Sequence, residues 1–474
     1  MLGGAAGLLI AVWGTRTLLS LGSADFTLPQ SVEFNVPVFL FATGIVLAVG
    51  LVIGVVPAVN MTRENLHGQL TESTRGMSTG RETGQVRRAL VTAEVALCTA
   101  LLLVGGLLLR SFVNVMGADK GFAVERVLSV DLALSTEQYG GSQSLAFYRE
   151  LLESIRALPG VLSAGAISIL PLTSASEGNS TGIYLEEDRE QRLDRPVAHY
   201  RVVTQGYFPA MGIPLLAGRL LETEEPASAV LVSEELVRRL WPDTPPSKVV
   251  GRGVRIGEVT DDPATIVGVV GDVRAAALDR EPTPAIYVPH ARNRAREMAV
   301  VIRTTQEPET LIAAVRSAVW NRDAAIPVPT ARTMSEIVSA SVAPRRFQMA
   351  MILLFAAIAL GLALVGVFGI TSYAVTRQTR EIGIRIAVGA ERSVLLRSVL
   401  KQGLRPVVLG LLLGLPAAAA AASAVRSSLF GIAPFDPISF CAISVLLLLT
   451  ATLACYLPAR RAARVDPVVA LRAE

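Results

Sequence analysis

Apolar residues arrive in this chain in long runs, with the charge concentrated between them. Residues 34–62 carry no charged side chain, and 89–109 carry only Glu94. Residues 347–376 form an uncharged run of 30, and 406–425 and 437–459 are equally free of charge. A helix crosses the hydrocarbon core of a bilayer in ~20 apolar residues, so each run is long enough to span. A sixth run, 2–21, holds Arg16 near one end, where a long side chain can reach the interface. The pattern predicts an α-helical transmembrane bundle of six spans.

Between 111 and 346 the pattern changes. Alternation over 127–134 predicts a strand, and helical periodicity over 144–158 predicts a helix stopped by Pro159-Gly160. Further strands fit 229–232, 265–270 and 298–303. Ser233 stands where it can cap a helix running through Leu240 and ended by Trp241-Pro242. Pro308 stands where it can open another that runs through Trp320. This stretch reads as a mixed α/β domain.

Composition supports the membrane reading, since 51% of the residues are hydrophobic and only 18% are charged, too apolar a balance for a wholly soluble chain. The net charge of +4 does not point to nucleic acid, because the cations cluster beside the spans. Segments 60–88, 377–405 and 460–472 carry sixteen Lys and Arg, whereas 22–33 and 426–436 carry only Arg426. The positive-inside rule therefore predicts the rich segments and the C-terminus in the cytoplasm, and residues 111–346 outside.

The usual sources of chemistry are missing. Lys120, Lys248 and Lys401 are the only lysines and none follows a glycine, so these residues form no phosphate-cradling loop. His67, His199 and His290 are scattered and expected to be solvated, and no nucleophile elbow occurs. Cys98, Cys441 and Cys455 fall inside predicted spans, where thiols act as small buried apolar groups. No catalytic, cofactor or metal site is expected. Glu94 reads as an acid near the cytoplasmic interface, within reach of Arg87 and Arg88.

An internal repeat is present. Pro57-Ala58, Arg63, Asn65 and Leu70 recur as Pro458-Ala459, Arg464, Asp466 and Leu471 at a constant offset of 401. Phe34, Asn35 and Phe39 recur as Phe435, Asp436 and Phe440 at the same offset. The first two spans thus read as a second copy of the last two.

The sharpest motif is Arg380-Glu381-Ile382-Gly383-Ile384-Arg385-Ile386-Ala387-Val388-Gly389-Ala390. Glu381 and Arg385 have the favourable i,i+4 order for a helical ion pair, and Ile382 and Ile386 share a face. Two glycines weaken so short a helix, which points to close docking against another backbone. A basic helix resting on anionic lipid would not need them.

This segment resembles the coupling motif of MacB/FtsX-like permeases. The ending Pro458, Ala459, Arg464, Asp466, Pro467 and Leu471 resembles the C-terminal signature of the same family. Residues 111–346 are similar to the MacB periplasmic core domain at Gly206-Tyr207-Phe208, Met211-Gly212-Ile213 and Gly218-Arg219. The repeat resembles the acidobacterial-type duplicated orphan permeases. The resemblance implies that 1–59 are the last two helices of a truncated first unit and 60–88 a cytoplasmic linker. Residues 89–110 would then be the first span of a second unit, 111–346 its outer domain, and 347–474 its three remaining spans with a coupling helix at 377–397. The missing front of the first unit reads as a fragment of a longer sequence. The implied partners are a separate cytoplasmic ABC ATPase, the bilayer of a bacterial inner membrane, envelope proteins, and a second permease unit or second copy. The implied activity is ATP-driven efflux or extraction, the alternative being a non-transporting scaffold that recruits an envelope partner.

Overall fold

A computed structural model describes Pro37, Leu40, Phe41, residues 43–48 and 50–51, and residues 79–462 apart from 174, 187–195, 224, 258–262, 328–330, 378–383, 385–387, 389–390 and 427–428. It divides into two compact units, Met1–Arg110 with Phe347–Glu474, and Ser111–Arg346. Helix α1 covers Thr79–Gly117.

The second unit is built on one sheet. In chain order its elements are β1 (Val127–Ala133), α2 (Ser142–Arg156), β2 (Val161–Ile167), β3 (Ser180–Leu185) and β4 (Val197–Val203). There follow α3 (Tyr207–Met211), β5 (Leu215–Gly218), β6 (Ala229–Ser233), α4 (Glu234–Leu240), β7 (Gly253–Ile256) and β8 (Ala264–Val270). The series ends with β9 (Ala285–Pro289), β10 (Glu297–Thr304), α5 (Ile312–Trp320) and β11 (Arg332–Thr333). The strands and helices anticipated from alternation and periodicity are present. Ser233 caps α4 as expected, its hydroxyl accepting from the Leu236 N–H at 3.3 Å. Pro308 opens a short 3₁₀ turn that passes into α5.

The sheet has two parts. One end is an antiparallel run in the order β11-β1-β10-β2. Helix α2 packs on β2 and on α5, burying Tyr148, Leu151, Leu152 and Ile155. At the other end the strands close on themselves. β4 pairs with β3, β3 with β7, β7 with β8, β8 with β6, β6 with β9, and β9 returns to β4. The ring is a small mixed barrel filled by side chains such as Val230, Val232, Ile266 and Ile286.

Two glycines set the junction between β2 and α3. A Cβ on Gly165 would lie 2.2 Å from the Tyr207 backbone nitrogen, and Gly206 has φ 91°, where a side chain is strained. With Gly212 at φ 66°, α3 is a single turn bounded by left-handed residues at both ends. The resemblance motif at 206–213 is therefore a packing device.

Two histidines depart from expectation. His199 and His290 are buried, 6% and 4% exposed, because one lies on β4 and the other follows β9, both inner strands. The ring of His290 meets Tyr148 edge-on at 5.4 Å. His67 lies outside the described residues. Arg201, also buried, donates to the carbonyls of Ser176, Gly178, Asn179 and Tyr200 at 2.5, 3.0, 3.2 and 3.0 Å. One guanidinium thus holds the 176–179 loop shut.

Replacing Gly165 with Ala forces the β2 and α3 backbones apart and lowers the stability of the full-length protein by at least ~2 kcal/mol. Chemical denaturation followed by the near-ultraviolet signal of the outer domain checks this.

Candidate functional site

Four helices among the described residues are long and apolar enough to cross a membrane: Gln85–Gly117, Met334–Thr376, Ser393–Ala424 and Pro437–Arg461. They belong to α1, α6 (Met334–Arg377), α7 (Arg392–Ala424) and α8 (Pro437–Ala462). The predicted span 2–21 lies outside the described residues. That at 34–62 lies mostly outside them, with helix at the positions described. Four spans are thus seen where six were expected. Helix α6 starts 13 residues before the uncharged run at Phe347, because its first turns are amphipathic, with Val338 and Val342 buried and Arg345 paired with Asp279.

Within the helical unit the buried positions recur every three or four residues. They are Val91, Val95 and Cys98 on α1, Ala363, Val367 and Ile370 on α6, Val407 and Leu411 on α7, and Ile443, Leu447, Ala451 and Cys455 on α8. Large side chains such as Leu97, Val365, Leu413 and Leu453 point outward at 68, 69, 63 and 66% exposure. That inverted distribution is what a lipid solvent permits. Cys98 and Cys455 are buried as expected, but Cys441 is exposed, because it sits on the outward face of α8.

The contacts between helices are made at glycines. A Cβ on Gly410 would lie 2.8 Å from the Thr92 carbonyl oxygen of α1, and one on Gly414 2.8 Å from that of Ala96. On Gly403 it would lie 2.7 Å from Thr371 Oγ1 on α6 and 2.8 Å from Cys455 Sγ on α8. Gly366 lies against Glu94 in the same way, with 3.0 Å to its Oε2. Among the described residues Glu94 forms no ion pair with Arg87 or Arg88. Its side chain folds onto α6, and the Arg87 guanidinium lies over the Tyr373 ring at 5.4 Å. At the opposite end Arg110 pairs with Asp436. Asp436 also caps α8, accepting from the Ser439 N–H at 2.9 Å and its hydroxyl at 2.6 Å.

The residues singled out from sequence are only partly placed. Arg380, Glu381, Ile382, Gly383, Arg385, Ala387, Gly389 and Ala390 lie outside the described residues. So do Arg464, Asp466, Pro467 and Leu471 and the first copy of the repeat from Pro57 to Leu70. Ile384 and Val388 are described: both are exposed, and the Val388 N–H donates to the Ile384 carbonyl at 3.0 Å, one helical turn. Pro458 and Ala459 lie within α8, which continues to Ala462, so the span does not end at 459. Sequence reasoning missed Gly366, Gly403, Gly410, Gly414 and the Arg110–Asp436 pair. A small-residue spacing Gly403, Gly410, Gly414 was the available signal.

The α/β unit has a polar cleft of about 190 Å³ lined by Arg149, Glu153, Thr204, Gln205, Glu225 and His290 among others. Its wall is fixed: Arg219 grips Glu225 with two bonds of 2.7 Å, holding that carboxylate below its ordinary range. Burial pushes His290 down; its ring Nε2–H donates to the Ala295 carbonyl at 2.8 Å. Among the described residues no group of acids, histidines and cysteines could hold a metal ion.

Together these features define an integral membrane protein with a large α/β domain inserted between its first and second described spans. The sequence profile of the MacB-like periplasmic core domain matches residues 38–318, more than half the chain, and that of the FtsX-like permease C-terminal domain matches 353–467. The chain belongs to the MacB/FtsX-like permeases, and its α/β unit is the extracytoplasmic domain. It is similar to the macrolide export ATP-binding/permease protein MacB of Azoarcus sp., at 26% identity over 65% of this chain and 47% of that protein. It is also similar to the pyoverdine export ATP-binding/permease protein PvdT of Pseudomonas syringae, at 30% identity over 56% and 42%. The chain thus spans less than half the length of these relatives. Among solved structures, the periplasmic region of MacB from Actinobacillus actinomycetemcomitans aligns with a TM-score of 0.31 at 11% identity, over 47% of this chain and 95% of that one.

Two outcomes follow from the geometry. Gly414→Leu drives a side chain into the α1 backbone and lowers the melting temperature of the detergent-solubilised protein by several degrees, with membrane insertion unchanged. The second concerns pH. Burial holds His199 down at about 4, and burial together with the Glu234 charge pushes Asp272 up to about 6. As pH falls from 6.5, the unfolded chain protonates His199 before the native one, which removes stability until about pH 4. Native Asp272 takes up its proton first, which adds stability between about 6 and 3.8. The two oppose each other, so Asp272→Asn makes acid destabilisation steeper between pH 6.5 and 4.5, by on the order of 2 kcal/mol. His199→Gln makes it shallower. Denaturation at stepped pH reads both.

Proposed function

We propose that the chain is the permease subunit of an ABC-type mechanotransmission system, in which a separate cytoplasmic ATPase moves the segment between α6 and α7. That movement passes along the spans to drive efflux or extraction by the extracytoplasmic domain. The observation that carries this reading is the contact at Gly403. There α7 meets Thr371 of α6 and Cys455 of α8 at distances that leave no room for one more carbon. The segment begins after Arg377 and ends before Arg392, so both its flanking helices run directly into that contact. A push on the segment has no slack to take up before it moves α6 and α8 together.

Three features support the direction of transmission. Helix α6 has 44 residues, about 66 Å of helix against a hydrocarbon core near 30 Å, long enough to project well past the bilayer. The arginine-rich segments favour a cytoplasmic coupling segment and C-terminus. Exposed Ile384 and Val388, one turn apart, supply an apolar edge suited to a groove on a partner. In the same reading 1–59 form the last two helices of a preceding unit, 60–88 a cytoplasmic linker and 89–110 the first span of the unit that follows.

Glu381→Lys replaces a favourable i,i+4 pair with like charges and costs the helix itself only about 0.3–0.5 kcal/mol. Gly383→Leu blocks close approach. Both variants of the full-length permease are expected to reach the membrane at normal levels yet lose most of the stimulation of the partner ATPase. Wild-type stimulation by both at equal abundance defeats the coupling assignment. Retained binding of an envelope protein with no dependence on ATP favours the scaffold instead.

A further inference from the structure

Helix α7 has two faces of different chemistry. Gly403, Val407, Gly410 and Leu411 form the face turned into the bundle. On the opposite face Arg397, Lys401 and Arg405 follow one another at i, i+4 and i+8, all exposed. No carboxylate lies within ion-pair distance of any of them among the described residues. Together with Leu400, Leu404, Val408 and Leu409 they line a shallow groove of about 690 Å³. Past Arg405 the same face continues as Val408 and Leu412, 44 and 61% exposed, inside the uncharged run that starts at Pro406.

From this juxtaposition we infer that the groove is a binding site for an anionic phospholipid. Its headgroup phosphate sits among Arg397, Lys401 and Arg405, and its acyl chain lies along Val408, Leu409 and Leu412. The three cations span about 12 Å along the helix axis, and the last stands one turn from the first apolar residue, where the headgroup layer gives way to hydrocarbon. Long cationic side chains at that depth keep their charge at the interface while their stems stay on the apolar surface. An acidic protein surface could match the charges but could not follow the stripe into hydrocarbon. A phospholipid carries both chemistries joined at the required spacing. The inference needs no ATPase and shares only Arg397 with the coupling helix, and Lys401 and Arg405, which lie outside that helix, let it be tested apart from the function proposed above.

The test uses the full-length protein in mild detergent, equilibrated with equal amounts of phosphatidylglycerol and phosphatidylcholine bearing the same acyl chains. Retained lipid is counted by native mass spectrometry. The wild type is expected to retain phosphatidylglycerol in preference by about tenfold or more. Lys401→Gln alone cuts the preference about fivefold, from ~1 kcal/mol per cation near an anionic surface. Arg397→Gln, Lys401→Gln and Arg405→Gln combined abolish it. Exchanging Arg397 and Arg405 for Lys keeps it, which separates charge from loss of fold. Equal retention of the two lipids by the wild type overturns the site, as does an unchanged preference in Lys401→Gln. A triple variant that keeps its lipid preference but no longer co-purifies with an ATP-binding partner overturns it in favour of a protein contact.

Discussion

The helical unit rests on one constraint: in a bilayer the surroundings of a helix are as apolar as another helix, so burying leucine against leucine brings almost no gain. Association then depends on close packing, which improves as backbones approach. Gly403, Gly410 and Gly414 bring α7 to within a carbon's width of α1, α6 and α8, and Gly366 does the same between α6 and α1. Everything else in the unit follows from this closeness. The buried stripes are narrow and mix small residues with leucines such as Leu103 and Leu107, many large side chains turn outward, and buried hydroxyls bond back within their own helix. Thr99 and Thr371 bond back to the carbonyls of Val95 and Val367 at 2.7 and 2.8 Å, so neither hydroxyl is left bare in the interior. Glu94 apart, charge on α1 lies at the ends, where Arg110 meets Asp436 and Arg87 lies over Tyr373.

The extracytoplasmic domain answers the opposite solvent. In water the hydrophobic effect supplies the drive, and the hazard is an open sheet edge. Six of its strands remove the hazard by closing into a ring, and the open run ends in β11, only two residues long. A two-residue edge offers little to a passing strand. Closure has its own cost, since loops must be held over the ring. Arg201 meets this by giving its donors to carbonyls, and among the described residues it has no carboxylate partner.

How much of this could be read from sequence depended on whether the signal was local. Uncharged runs mark spans because a charge in hydrocarbon is expensive wherever it occurs, and Glu94, the one exception on α1, lies against Gly366. The uncharged run marks the apolar part of α6 but not its first turns, which are amphipathic and carry Pro344, a residue that interrupts the apolar pattern without breaking the helix. Strands β1, β6, β8 and β10 were legible from alternating or β-branched runs. Short β5 and β7 were not, and the pairing of β4 with β9 joins residues some 86 apart, such as His199 and Ala285, which no local pattern encodes. For the same reason the two buried histidines looked like surface residues. The coupling motif was readable from its charges and glycines, but its role came from resemblance.

The prolines of the spanning helices show where rigidity is placed. Each removes one helical N–H and crowds the carbonyl four residues back, so a proline is a site of bending. Pro344 lies before the uncharged stretch of α6 and Pro458 in the last turns of α8, which leaves the middle of both helices free of proline. Helix α7 differs, with Pro406 at the start of its uncharged run and Pro416 well inside it. Bending at Pro416 is cheap only if a neighbouring helix steadies the turn, and Gly414 places α1 against that turn. Of these three helices, then, α7 alone carries a proline well inside its uncharged run, next to a glycine that holds it against α1.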